Sequence, residues 1–133
     1  QSDLVSELLR IEDYQDRLAY IQDRVRKFAA LDNNHRTQEN QIKGCLTKVW
    51  LRSTYANGVC EFIADSESSM VRGLVVLIAQ IYSNAKPEDV VAFDTTILSE
   101  VRLDRMITPT RQHGLMQLQK AIQEFARCCM ESN

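Results

Sequence analysis

The chain has little of what would loosen it or carry it out of water. Four glycines and two prolines in 133 residues leave little room for a disordered tail or a proline-rich linker. The longest unbroken apolar run is residues 74–79, six residues where a membrane-spanning helix needs about 20. No basic segment followed by an apolar run opens the chain, so no signal peptide is expected. The sequence begins at Gln1 and not at Met, so residues upstream are expected to have been removed or never included. There is no excess of positive charge either. Sixteen basic and eighteen acidic side chains leave a formal charge of −2, which argues against a dedicated nucleic-acid binder. Cysteines occur at 45, 60, 128 and 129, with no CxxC spacing. That pattern suits neither a disulfide framework nor a four-ligand zinc site, and free thiols point to a reducing compartment. Gly-rich phosphate loops, HExxH and GxSxG are missing too.

What is present is the composition of one ordinary domain, 44% apolar and 26% charged. After a short apolar turn at Leu4–Leu9, Tyr14, Leu18, Ile21, Val25 and Phe28 step 4, 3, 4, 3, the stripe of an amphipathic helix. The helix fades at Leu31-Asp32-Asn33-Asn34. Residues 41–55 are rich in β-branched and aromatic types with a period nearer 2, and read as a strand. Asn57-Gly58 is a two-residue hairpin turn, because both residues tolerate positive φ. Residues 59–64 then return, with Cys60, Phe62 and Ala64 on one face. Asp65-Ser66-Glu67-Ser68 reads as a helix start, and residues 70–82 as a central helix apolar on most sides. Pro87-Glu88-Asp89 opens a short helix through Phe93, and residues 94–105 read as short helix or turn. Thr108 and Pro109 start the last helix as N-cap and first helical residue, with a stripe at Leu115, Leu118, Ile122, Phe125 and Cys129. The expectation is one α+β domain over 1–133: an antiparallel sheet of about three strands packed with several helices.

Two residues invite a chemical reading. Cys45 follows Gly44, which lets another backbone approach closely, and no acid lies between Glu39 and Glu61 while Lys43, Lys48 and Arg52 do. Neighbouring cations favour the thiolate, the nucleophilic form. A small buried hydrophobe at a strand start fits the same residues. Cys60 reads as core packing, and the vicinal Cys128–Cys129 pair leaves a redox role open. Arg111 stands near the third position of the last helix, where a capping box takes Glu or Gln and the dipole disfavours a cation. It is either a solvated surface arginine or a residue placed there for another purpose. His35 and His113, the two histidines, keep a Cys–His hydrolase open.

Three segments in register resemble one family. Asn40-Gln41-Ile42-Lys43-Gly44-Cys45-Leu46-Thr47-Lys48-Val49-Trp50 is similar to the cysteine motif of the SufE/CsdE family. Asp65-Ser66, Val71-Arg72-Gly73-Leu74, Pro87-Glu88-Asp89-Val90 and Phe93-Asp94 resemble its central segment. Thr108-Pro109-Thr110-Arg111 with Gly114-Leu115 resembles its third signature. The chain departs at Gln38 and Asp32, where the family commonly has proline. The resemblance implies a SufE/IscU-like fold and a sulfur acceptor in iron–sulfur cluster assembly, a covalent carrier and not a stand-alone enzyme. By match to the motif, Cys45 would accept sulfane sulfur as a persulfide from a class II cysteine desulfurase of the SufS/CsdA type and stimulate it. That partner uses PLP, and no cofactor is implied on this chain. Arg111 would support the cysteine loop or its charge. Lys43, Gly44, Lys48 and Asp65 would lie on the partner-binding face, although Trp50 reads first as packing and Asp65 as helix capping. The recipient would be a SufBCD-type scaffold or another acceptor. The resemblance further implies a monomer or weak homodimer, cytoplasmic or in an organelle stroma if eukaryotic, with no nucleic acid and no membrane partner. The competing readings are an IscU-type cluster scaffold, a Cys-dependent hydrolase and a purely structural interaction domain.

Overall fold

The computed structural model describes residues 7, 9–25, 33–43, 48–93 and 109–132. The elements in chain order are helix α1 (Tyr14–Val25), two short 3-10 turns (Asn33–His35 and Gln38–Asn40), strands β1 (Val49–Ala56) and β2 (Val59–Ser66), and helices α2 (Ser69–Tyr82), α3 (Pro87–Ala92) and α4 (Pro109–Ser132). The architecture is α+β.

The hairpin forms where the turn chemistry requires it. Asn57 and Gly58 both take positive φ, 55° and 82°, the mirror-image turn whose twist matches the flanking strands. Register runs from Ala56 opposite Val59 to Val49 opposite Ser66. Along β2, Cys60, Phe62 and Ala64 face the core as the period-2 pattern requires.

The sheet departs from expectation in two ways. Among the described residues it has two strands and not about three. The outer edge of β2 is covered instead by the exit from α2. The Ser83 hydroxyl accepts from the Phe62 N–H (2.9 Å), Asn84 N–H donates to the Cys60 carbonyl (2.8 Å), and Cys60 N–H donates to the Ala85 carbonyl (2.7 Å). A side chain and a single bridge thus satisfy the edge that a third strand would have paired. The second departure is the start of β1. The period-2 pattern from Gln41 reads as one strand, but Gln41 bridges antiparallel to Trp50 and the Ile42 N–H donates to the Val49 carbonyl (2.8 Å). The chain doubles back between them, so the pattern runs through a reversal that periodicity does not register.

Helix α2 is the centre of the molecule. Leu74, Val75, Leu77, Ile78, Ala79, Ile81 and Tyr82 are all buried, which explains a helix apolar on most sides. Its cap is Ser68, whose hydroxyl accepts from the Val71 N–H. Asp65 does not cap it: it is the penultimate residue of β2. Gly73 faces α1, and a Cβ there would sit 3.2 Å from the Gln22 side chain, so the missing side chain sets the approach of the two helices. Helix α4 packs through Leu115, Leu118, Ile122 and Ala126, with Ala121 and Phe125 beside the seam. The expected N-cap Thr108 and the segment 94–105 lie outside the described residues. The end of α3 is tied to both long helices, since the Phe93 carbonyl accepts from the Tyr82 hydroxyl and from the Gln123 amide, each at 3.0 Å. Among the described residues no helix is long and apolar enough to cross a membrane.

Cys60 is fully buried in this core. Burial, with the neighbouring Cys129 second, pushes its thiol up from 9.0 to about 11. The folded state therefore holds its proton where the unfolded chain would lose it. Its contribution to stability is complete below about pH 9 and is lost as pH rises toward about 11. Urea unfolding of wild type and Cys60→Ala across pH 8–11 should show the difference between them shrinking with rising pH; a constant difference would contradict the burial argument.

Candidate functional site

The two ends of the segment that carries Cys45 are held by described residues. Upstream, Asn40 reaches back with its side-chain amide to the His35 carbonyl (2.8 Å), and the backbone N–H groups of Asn40 and Gln41 donate to the carbonyls of Thr37 and Gln38. The motif asparagine thus closes the tight turn that delivers Gln41 and Ile42 to the sheet. Downstream, the Lys48 carbonyl accepts from the Ser66 hydroxyl (2.8 Å) and from the Glu67 N–H (3.3 Å). The bond from Ile42 to Val49, within the antiparallel bridge that sets Gln41 opposite Trp50, joins the two sides. Gly44 and Cys45 lie outside the described residues. Lys43 and Lys48, at the edges of the gap, are both exposed.

Beneath this neck is an ion-pair cluster. Asp65 is 0% exposed and opposite Trp50 in the hairpin register. One carboxylate oxygen pairs with the Arg36 guanidinium and the other accepts from Arg72 Nε at 3.0 Å. The second oxygen also takes the Ser66 N–H (2.8 Å). Arg36 in turn lies over the Trp50 ring, 5.6 Å from its centroid, where the negative face of the indole attracts a cation. A buried carboxylate is tolerated only when its charge is matched and its oxygens are hydrogen-bonded, and both conditions hold here. The cluster joins the turn before the cysteine segment, both strands and α2 at one point.

This placement changes two readings. Asp65 is a buried support and not a surface contact for a partner. Trp50 packs as expected, 8% exposed, and additionally carries Arg36. Sequence reading passed over Arg36 altogether and took Arg72 only as part of a motif. A strand-end aspartate that did not cap the next helix was the available signal, since such a residue needs a cation from elsewhere.

Arg111 belongs to α4, but its side chain lies outside what is described. His113 is exposed on the same helix, with Nε2 3.3 Å from the Gln117 amide. His35 sits in the first 3-10 turn and contributes its backbone carbonyl.

An open groove of about 730 Å³ adjoins the neck. Gln41, Ile42 and Lys43 form one wall, and α4 residues from Gln117 to Arg127 form the other. Its charged side chains are Lys43, Lys120, Arg127 and Glu124, and Glu124 is paired with Arg127 at 3.2 Å. The lining is net positive, in a chain that is net negative overall.

Comparison with known proteins places this arrangement. Residues 2–126 match the family model for SufE, an Fe–S metabolism associated domain. The chain belongs to the SufE family. An uncharacterized SufE-like protein of Rhizobium etli is 29% identical over 130 residues, covering 93% of this chain and 87% of the relative. The solution structure of a hypothetical protein from Thermus thermophilus superposes with a TM-score of 0.80 over 98% of this chain and 95% of its own, at 14% identity. That likeness shows a shared fold. SufE membership places the chain in the sulfur-transfer side of iron–sulfur metabolism, with a cysteine desulfurase as the implied partner.

The cluster makes a direct test possible. Asp65→Ala leaves two arginines facing each other without their anion. Because both are partly exposed and can rehydrate, the loss should be about 2–3 kcal/mol, below that of a fully buried pair. The lone tryptophan is part of the cluster, so its emission should shift to the red in the native baseline. Unchanged emission and a loss under about 0.5 kcal/mol, the range of an ordinary surface substitution, would refute the role of the cluster.

Proposed function

We propose that this SufE-family chain is a covalent sulfur carrier whose acceptor is Cys45. The Cys45 thiolate attacks the terminal sulfur of a persulfide on the active-site cysteine of a class II cysteine desulfurase. The donor's S–S bond breaks, the donor leaves as a thiolate, and Cys45 carries the persulfide. No net oxidation occurs, because the sulfane sulfur moves with its oxidation state unchanged. PLP stays in the partner, and this chain needs no cofactor of its own for the exchange.

The observation that carries this reading is the neck. Its flanks are pinned on both sides, while Lys43 and Lys48 stand in solvent around it. Chain length alone keeps the Cys45 Cα within about 11 Å of that of Ile42, a residue of the groove wall. Lysines there favour the thiolate that the exchange requires. Arg111, by its match to the family motif, would steady the thiolate or persulfide charge. The groove then serves as the docking surface, with Lys43, Lys120 and Arg127 meeting acidic residues of the desulfurase. Delivery to a scaffold of the SufBCD class would follow by a second exchange of the same kind.

The carrier step is tested by intact mass after incubation with a class II desulfurase, PLP and cysteine. Wild type should gain one sulfur that thiol removes, and Cys45→Ser should gain none. A gain that persists in Cys45→Ser would sink the assignment of the acceptor. The docking face is tested separately. The pair Lys43→Glu and Lys120→Glu should raise the concentration needed for half-maximal desulfurase stimulation roughly tenfold at low salt, an effect that shrinks as salt rises. Equal stimulation curves at low salt would exclude the groove.

A further inference from the structure

Three cysteines remain that the sulfur-transfer reading does not use, and two of them meet across the core. Phe62 on β2 and Phe125 on α4 touch edge to face, with centroids 5.9 Å apart. Cys60 lies two residues before Phe62 on the same strand face, and Cys129 lies one helical turn after Phe125 on the same helix face. The same seam that joins the two rings therefore brings the two thiols toward each other, and Cys129 is the first neighbouring group to act on the Cys60 thiol. Cys60 is held in place by its backbone bonds to Asn84 and Ala85. It is fully buried, whereas Cys129 is half-buried and Cys128 is exposed. One member of the pair is thus reachable from water and the other is not.

We propose that Cys60 and Cys129 form a peroxide-oxidised disulfide site that staples the hairpin to the last helix. A peroxide oxidises the reachable Cys129 thiol to a sulfenic acid, with one peroxide oxygen leaving as water. The Cys60 sulfur then attacks the sulfenic sulfur, its proton leaves with the hydroxyl as a second water, and the S–S bond forms. Two thiols lose two electrons in all, and the peroxide gains them. Proximity favours this pairing over attack by a distant thiol. The vicinal alternative is disfavoured by geometry. Adjacent Cα atoms are about 3.8 Å apart, short of the roughly 4.4–6.8 Å that disulfides span, so a Cys128–Cys129 bond would distort α4.

The staple would fix the end of the helix that forms one wall of the basic groove. It does not depend on Cys45 or on the carrier reading, and the test separates the two by using the Cys45→Ser chain throughout. That protein is treated with dilute hydrogen peroxide, alkylated after unfolding, digested and mapped by mass spectrometry without reductant. The expected product joins the Cys60 peptide to the Cys129 peptide with loss of two hydrogens. The Tm should rise by roughly 5–15 °C, since a long loop is closed, and fall back with thiol reductant. Cys45→Ser/Cys128→Ser should form the same link, and its exposed substitution keeps the fold intact. Over-oxidation of Cys129 with Cys60 recovered alkylated, or a link through Cys128, would overturn the proposal.

Discussion

A single buried carboxylate organises the region around the neck. Asp65 has no water to solvate it, so its charge must be met by protein, and it is met from two directions. Arg36 comes from the turn before the cysteine segment and Arg72 from the first turns of the central helix. Neither arginine is fully buried, so each keeps part of its hydration while the anion between them has none. The electrostatic requirement of one residue therefore fixes the relative positions of a turn, a hairpin and a helix. The backbone bonds to Lys48, Ile42 and Val49 then close the neck above it.

This arrangement suits the carrier role proposed above. A segment passing cargo between proteins would need ends that cannot wander without losing aim. Here the ends are tied by hydrogen bonds and by an ion-pair cluster. The core that supports them, built on α2 and the inner face of β2, lies behind. The positive groove between the neck and α4 adds direction to an otherwise acidic molecule, through a field that is local and not a property of net charge.

Much of the scaffold was legible because its signals are short-range. Asn57-Gly58 admits few conformations other than the turn it makes, Ser68 caps, Pro87 begins a helix, and the stripe of Leu115, Leu118 and Ile122 can bury only one face. The strand expected from Gln41 instead begins at Val49, because the alternation continues through a reversal of chain direction. Among the described residues the sheet has two strands, and Ser83 and Ala85, outside either strand, satisfy the edge of the second. Asp65 was read locally as a cap, and local reading has no means of finding a partner 29 residues upstream.

By itself the sequence determined the class of fold, most of the described elements, and the family through three motifs in register. Those are consequences of neighbours along the chain, of periodicity and of residue type. Tertiary structure alone decided that Asp65 is a buried hub and not a surface contact, that Trp50 carries a cation, and that Cys60 meets Cys129. It also decided that residues near 42 and near 124 share a groove. The physical reason is common to all four. Charge pairing, ring stacking and thiol contact depend on distance in space, and the packing of helix against sheet sets those distances.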